Sequence, residues 1–198
     1  MILCDDLTGE WASTVAATGR RAIELMVVTS LREREQVPDL WLCPALLKKD
    51  RFDLVLEKAT ELGVRRIQPV LTRRCVADKL NLERARTVTV EAAEQCARTA
   101  LPELAGPVKL EALLREWPED RTLFFADEMG GQPAAQAFAG STSAAILIGP
   151  EGGFDDAERE AVRALPQARP ITLGPRILRG ETAAIAALSV WMASVGDW

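Results

Sequence analysis

The chain has 198 residues, of which 48% are hydrophobic and 27% charged, a length typical of one domain or of one domain with a small appendage. No apolar run reaches the roughly 18 residues of a membrane-spanning helix, and the first residues lack the basic and apolar segments of a secretory signal. The formal net charge of −5 argues at first against a nucleic-acid partner. The four cysteines are widely spaced and there is no histidine. We therefore expect no membrane association, no metal site and a reducing cytoplasmic location.

In chain order, residues 1–30 alternate weakly and predict two short strands, and the charged, proline-containing stretch 31–39 predicts a linker. From residue 40 to residue 198 strands and helices alternate, which predicts an α/β fold with a mainly parallel sheet and helices on both faces. The last predicted helix, 181–194, is apolar nearly all round. Such a helix must be buried on more than one side, either in a core or against a second subunit. The other predicted strands are 40–44, 64–71, 122–126, 144–148 and 170–173, and the other helices are 52–62, 82–98 and 155–165.

The strongest local motif is ILIGPEGGF, residues 146–154, where a buried strand runs into a glycine-rich turn and then a helix. Ligands of open α/β sheets bind at the carboxyl ends of strands. Gly149, Gly152 and Gly153 have no side chains, so a ligand can reach the backbone there. A tight turn that only needs positive φ angles fits the spacing equally well. The turn is neither G-x-G-x-x-G nor a P-loop, so neither dinucleotide nor ATP binding is indicated.

A second turn, LGPRILRGETA at residues 173–183, also follows a short strand and leads into the apolar helix. Helix capping accounts for Glu181 and Thr182, because negative and polar groups are favourable at the start of a helix. Two cations, Arg176 and Arg179, are unfavourable at the same end. We therefore predict an anionic partner for Arg176 or Arg179.

These two turns, with DRFDLVLEKATELGV (50–64) and VEAAEQCAR (90–98), resemble the ribosomal RNA N3-uridine methyltransferases, a branch of the SPOUT class. The resemblance covers residues 40–198. It implies a deep trefoil knot in the C-terminal part, a homodimer through the last helix, and S-adenosylmethionine (SAM) bound by the two turns and the strand end near 125–128. It further implies 16S ribosomal RNA, or the small ribosomal subunit, as substrate. Residues 1–30 resemble only the second half of the family's β-rich, PUA-like RNA-binding domain, so its first strands are expected to be missing.

The sequence departs from the family at two further positions. Ala97 stands where the family has a glycine, on a predicted helix where the change should be tolerated. Gly180 directly precedes Glu181 and is expected to loosen the helix start by up to about 1 kcal/mol.

The resemblance assigns roles to individual residues. Arg179 is the first choice for stabilising the uracil anion and Arg98 the second; Glu94 and Glu181 are candidate proton acceptors, and Glu151 is a further one. Between residues 48 and 74 eight basic residues stand against four acidic ones, and several flank element ends where they could contact phosphates. A charged run is otherwise simply a solvated face. With the resemblance we predict RNA binding by Lys48, Lys49, Arg51, Lys58, Arg73 and Arg74. The predicted cofactor-binding residues are Leu147, Gly149, Pro150, Glu151, Gly152, Gly153, Leu173, Gly174, Ile177, Leu178, Thr182 and Ala183.

Three alternatives remain open from the sequence. One is a SPOUT enzyme that methylates another RNA position, such as a ribose 2′-hydroxyl. A second is an RNA-binding or ribosome-assembly protein that has kept the fold and lost activity. A third is a plain nucleotide-binding α/β domain. Binding of SAM separates the first from the other two.

Overall fold

The N-terminal region forms a separate antiparallel sheet. The structure, a computed structural model, describes residues 1–198. Strands β1 (Ile2–Asp5), β2 (Gly9–Thr18) and β3 (Ile23–Glu33) pair in the order β1-β2-β3. The prediction of two strands was therefore wrong, because Asp5 closes a tight turn by accepting hydrogen bonds from the backbone N–H groups of Leu7 and Thr8. Strand β3 also continues into the predicted linker as far as Glu33.

The main sheet has seven strands, and every neighbouring pair is parallel. This confirms the predicted α/β class. The predicted strand 64–71 is in fact two short strands on either side of Pro69, which has no N–H for the ladder. The strands are β4 (Leu40–Pro44), β5 (Arg66–Ile67), β6 (Val70–Leu71), β7 (Glu103–Leu104), β8 (Val108–Lys109), β9 (Thr122–Ala126), β10 (Gln132–Pro133), β11 (Ala144–Ile148) and β12 (Ala168–Thr172). Their order is β10-β12-β9-β11-β4-β5-β7, and β6 pairs with β8 in a separate ribbon.

Six helices accompany the sheet. Four were predicted, and the sequence gave no periodic signal for the two short ones. The predicted capping box is present, since the Asp155 side chain accepts from the N–H of Glu158 and the Glu158 side chain accepts from the N–H of Asp155. The helices are α1 (Lys49–Glu61), α2 (Leu82–Gln95), α3 (Leu110–Arg115), α4 (Ala134–Ala137), α5 (Asp156–Ala164) and α6 (Gly180–Val195). None of them is both long and apolar enough to cross a membrane.

Two hydrophobic cores lie on opposite faces of the sheet. The larger joins the sheet to α1, α4 and α6 and contains the fully buried Phe52, Phe124 and Trp191. The smaller contains Trp117, Phe154 and Val162 and packs α5 against the other face. Helices therefore cover both faces, which explains why β11 is apolar at every position.

Two positions that depart from the family have structural consequences that the sequence did not reveal. Helix α2 ends at Gln95, and Ala97 lies beyond it with φ +57°, so the prediction that Ala97 is helical was wrong. A non-glycine residue in this left-handed region costs roughly 1–2 kcal/mol. At Gly180, a Cβ atom would lie 3.1 Å from Leu47 Cδ2 and 3.4 Å from the carbonyl oxygen of Gly149. The glycine therefore permits a close approach of α6 to two other segments.

Candidate functional site

A cavity of about 290 Å³ opens at the carboxyl ends of β9, β11 and β12. These three strands are neighbours and parallel, so the segments that follow them meet at one edge of the sheet. Residues 126–128, 148–153 and 171–178 form its walls, and Gly180 and Ala183 of α6 complete it. The structure therefore brings together the two glycine-bearing turns and the strand end that the sequence analysis singled out.

Most of the residues predicted to bind the cofactor line this cavity. Two do not. Leu147 is fully buried in the smaller core, because its side chain points to the face of the sheet that packs on Phe154. Thr182 is exposed on α6. The lining residues among those predicted are Gly149, Pro150, Glu151, Gly152, Gly153, Leu173, Gly174, Ile177, Leu178 and Ala183.

The glycine-rich turn, residues 149–153, presents backbone to the cavity because side chains do not fit there. A Cβ on Gly149 would lie 3.0 Å from the ring of Phe154, which is only 1% exposed and cannot easily move. Gly153 has φ +67°, and its Cβ would lie 2.6 Å from Glu128 Oε1. Both positions thus form a cradle whose N–H and C=O groups can reach a ligand.

Two acidic residues at the end of β9, Asp127 and Glu128, form another wall. They belong to the strand end near 125–128 that the resemblance places at the SAM pocket, although the sequence analysis did not name either as a site residue. The Asp127 side chain has no exposure and accepts hydrogen bonds from Arg159 Nε at 3.2 Å and Arg163 Nη2 at 2.6 Å. Glu128 is paired with Arg159 as well. The sequence signal that could have identified this wall is the position of two acidic residues directly after a buried strand.

Two cations of the second turn make no ion pair or hydrogen bond through their side chains. Arg176 lines the cavity, and Arg179 is the exposed N-cap residue of α6 between the lining residues Leu178 and Gly180. Both guanidinium groups stand near the positive end of α6, which is unfavourable for a cation alone. Both side chains are therefore available to an anionic ligand, and the anionic partner expected from the sequence stays a prediction.

The other predicted catalytic residues lie in different places. Glu181 lies two residues after Arg179. Its Oε1 is 3.8 Å from Arg51 Nε, and Glu181 does not line the cavity. Glu94 is exposed on α2. Arg98 is buried and donates to the carbonyl oxygens of Thr60 at 2.6 Å and Val64 at 2.7 Å. Burial lowers the pKa of the Arg98 guanidinium, with Glu35 opposing that shift. A catalytic role for Arg98 does not fit this placement, because the guanidinium is buried and both of its Nη atoms donate to carbonyl oxygens near the end of α1.

Most of the predicted RNA-binding cations are engaged within the protein. Lys58 pairs with Glu57 and Glu61, which raises the pKa of Lys58 to about 12. Arg51, Arg73 and Arg74 contact residues of the glycine-rich turn or the start of α5. Only Lys48 and Lys49 are exposed without an ion pair. RNA binding by these six residues stays a prediction, and four of them have partners within the protein that lie up to 100 residues away in the sequence.

Comparisons with known proteins agree with the fold and the cavity. The family described as the RNA methyltransferase domain matches residues 33–192. Ribosomal RNA small subunit methyltransferase E from Mycobacterium tuberculosis is 30% identical over 202 residues, which cover 92% of this chain and 76% of the relative. The same enzyme from Rickettsia conorii is 28% identical over 185 residues, covering 91% and 75%.

Two solved structures extend the comparison. A putative methyltransferase from Legionella pneumophila, in complex with the bound cofactor SAM, superposes with a TM-score of 0.88 at 31% identity and covers 100% of this chain and 84% of that one. Ribosomal RNA small subunit methyltransferase E from Neisseria gonorrhoeae, bound to S-adenosyl methionine, gives a TM-score of 0.90 at 25% identity with the same coverage. Fold and cavity place the chain in the class of RNA methyltransferases. Within that class it belongs to the ribosomal RNA small subunit methyltransferase E family.

Proposed function

We propose that this protein transfers a methyl group from SAM to N3 of a uridine in 16S ribosomal RNA. The observation that carries the proposal is the glycine cradle at the carboxyl edge of the sheet, in a fold whose similar structures from Legionella and Neisseria are bound to SAM. Uridine as the target base rests on the resemblance of the two turns and the two helical motifs to the N3-uridine enzymes.

The residues present fit the cofactor. A Cβ at Gly149 would meet the Phe154 ring and one at Gly153 would meet Glu128, so the turn keeps its shape only with glycine at these positions. The backbone of 149–153 and of 173–178, which lines the cavity, would hold SAM. When bound, SAM supplies a methyl group on a positively charged sulfonium. Asp127 and Glu128 line the same cavity and are held in place by Arg159, with Arg163 as a second partner of Asp127.

The chain's own residues would prepare the uracil. The N3–H of uracil must lose its proton before the nitrogen can attack, and the resulting negative charge spreads onto the carbonyl oxygens. Arg179, with Arg176 beside it in the same turn, is free to stabilise that charge. Glu181 is our first choice as proton acceptor, because its Oε2 is buried without a hydrogen-bond partner one residue beyond a cavity-lining glycine. Holding the base in line with the methyl group supplies a large part of the rate.

RNA binding would rest on fewer cations than the sequence suggested. Lys48 and Lys49 are exposed at the start of α1 and have no internal partner. A second cavity, of about 490 Å³, is lined by Lys49 and Lys79. These side chains would contact phosphates, which dominate the affinity of proteins for nucleic acids.

Four further features belong to the proposal. The close approach of Gly180 to the Gly149 carbonyl supports a trefoil knot in the C-terminal part. The three-stranded sheet of residues 1–33 supports a PUA-like RNA-binding segment. One face of α6, with Ile185, Ser189 and Val190, is only partly buried and would pack in a homodimer. Action on ribosomal RNA implies a cytoplasmic enzyme.

The test combines calorimetry with nucleoside analysis. The protein is titrated with SAM and then incubated with small ribosomal subunits from cells that lack the corresponding gene. We expect one SAM per chain and N3-methyluridine in the digested 16S RNA. A digest with 2′-O-methyluridine would support the ribose-directed alternative. Binding of SAM without any methylated product would support a non-catalytic protein.

A further inference from the structure

One arginine lies between carboxylates from both cofactor-binding turns. Arg51, in the first turn of α1, donates through Nη1 to Glu151 of the glycine-rich turn, and its Nε lies 3.8 Å from Oε1 of Glu181. Glu181 directly follows the second turn. Arg51 does not line the cavity, but it joins the two segments that form its opposite walls.

In this arrangement Arg51 offsets the negative charges of the two carboxylates. Glu151 and Glu181 carry the same charge and share Arg51 as the only cation within ion-pair distance of either. The Glu181 side chain is 12% exposed, so water screens its charge poorly. Without Arg51 the two carboxylates would repel each other, and the turns that carry them would move apart.

A second arginine holds the glycine-rich turn from outside. Arg74 Nη1 donates to the carbonyl oxygens of Gly152 at 2.8 Å and Phe154 at 3.3 Å. Its Cβ is 3.3 Å from the point where a Cβ of Gly152 would lie, so the aliphatic part of Arg74 packs directly on that glycine. The adjacent backbone N–H of Arg73 donates to Glu158 at 2.7 Å, which fixes the same segment to α5.

We propose that Arg51 and Arg74 are positioning residues that hold the glycine-rich turn in the shape that binds SAM, and that Arg51 also sets the distance between the two turns. This proposal rests on the proposed function. It replaces the RNA-binding role that the sequence suggested for these two arginines. Neither side chain need touch the cofactor, because each acts through the turn.

The test compares single variants by calorimetry with SAM and by steady-state kinetics. For Arg51→Ala and for Arg74→Ala we expect the Kd and the KM for SAM to rise about tenfold, as for loss of a hydrogen bond from a charged group. For Arg74→Ala kcat should stay within about twofold, whereas Arg51→Ala also removes the cation beside Glu181. Arg51→Lys keeps the charge and should recover most of the affinity. Arg86→Ala is the control, because Arg86 is exposed on α2 without an ion pair.

A second variant tests the same interaction in case Arg51→Ala does not fold. Glu151→Gln removes the charge of the partner and should raise the Kd for SAM by a similar factor, and its effect should not add to that of Arg51→Ala. The proposal is overturned if Arg51→Ala and Arg74→Ala bind SAM as the unmodified protein does and lose affinity only for 16S RNA. Failure of the unmodified protein to bind SAM would instead contradict the proposed function.

Discussion

Replacement of Arg98 by alanine should destabilise the protein without disabling its chemistry. The Arg98 side chain is 4% exposed and donates to the carbonyl oxygens of Thr60, in the last turn of α1, and of Val64, just beyond the helix. A hydrogen bond to a charged group contributes about 1.5–3 kcal/mol, so loss of both should cost about 3–5 kcal/mol. For a chain of this size that corresponds to a fall in Tm of about 10 °C.

Thermal unfolding followed by circular dichroism measures the shift. The matched control is Arg115→Ala, because Arg115 is 72% exposed and pairs only with the exposed Glu116. Its Tm should change by less than about 1 °C. At a temperature where both variants are folded, Arg98→Ala should retain its kcat. An unchanged Tm together with a large loss of kcat would refute the structural assignment and restore Arg98 as the second catalytic cation.

Three other substitutions test separate parts of the structure. Ala97→Gly should raise the Tm by about 2–3 °C, since glycine adopts the left-handed conformation without strain, and a lower Tm would contradict the φ angle of +57°. Gly149→Ala should weaken SAM binding at least about tenfold in calorimetry because its Cβ meets a buried ring, whereas Gly106→Ala, with nothing within 4 Å, should bind normally. The pKa of Asp155 is lowered mainly by the hydrogen bond from the backbone N–H of Glu158 and, to a smaller extent, by Arg73. The stability that the Asp155 charge adds is therefore present above about pH 4 and is lost as the pH falls below it. The Tm difference between the unmodified protein and Asp155→Ala should therefore shrink from pH 5 to pH 3, and a constant difference would show that the charge of the cap is unimportant.

The long elements of the fold could be predicted from the sequence because each carries its own periodicity. Strand β11 is a continuous apolar run between a turn and a glycine, and α5 begins at a recognisable capping box. Strands β7 and β10 have two residues each, and α4 has four, so no pattern could reveal them. They form because neighbouring strands provide hydrogen-bond partners, which is a property of the assembled sheet.

The candidate site could likewise be predicted from the sequence only in part. The two turns were predicted because glycine and proline after a strand are local signals. The engagement of Arg51 with Glu151 joins residues 100 positions apart, and that of Arg74 with Gly152 joins residues 78 positions apart. The order of charged residues along the chain does not indicate such distant pairs. In the sequence alone, the arginines that hold the turn could therefore not be distinguished from cations that bind RNA. The left-handed backbone at Ala97 was missed for a related reason, because the helix ends at Gln95, three residues earlier than its composition suggests.

The pairing of β4 with β11 has a consequence for synthesis of the chain. Leu40 lies opposite Ala144 in the centre of the sheet, so the apolar β4 emerges from the ribosome 104 residues before its partner. At a translation rate of about 5–20 residues per second, β4 remains unpaired on that side for on the order of 5–20 s. The last wall of the cavity, at the start of α6, is made later still. The nascent chain therefore cannot complete the SAM cavity until the start of α6 has been synthesised, and β4 stays exposed on one side until β11 emerges.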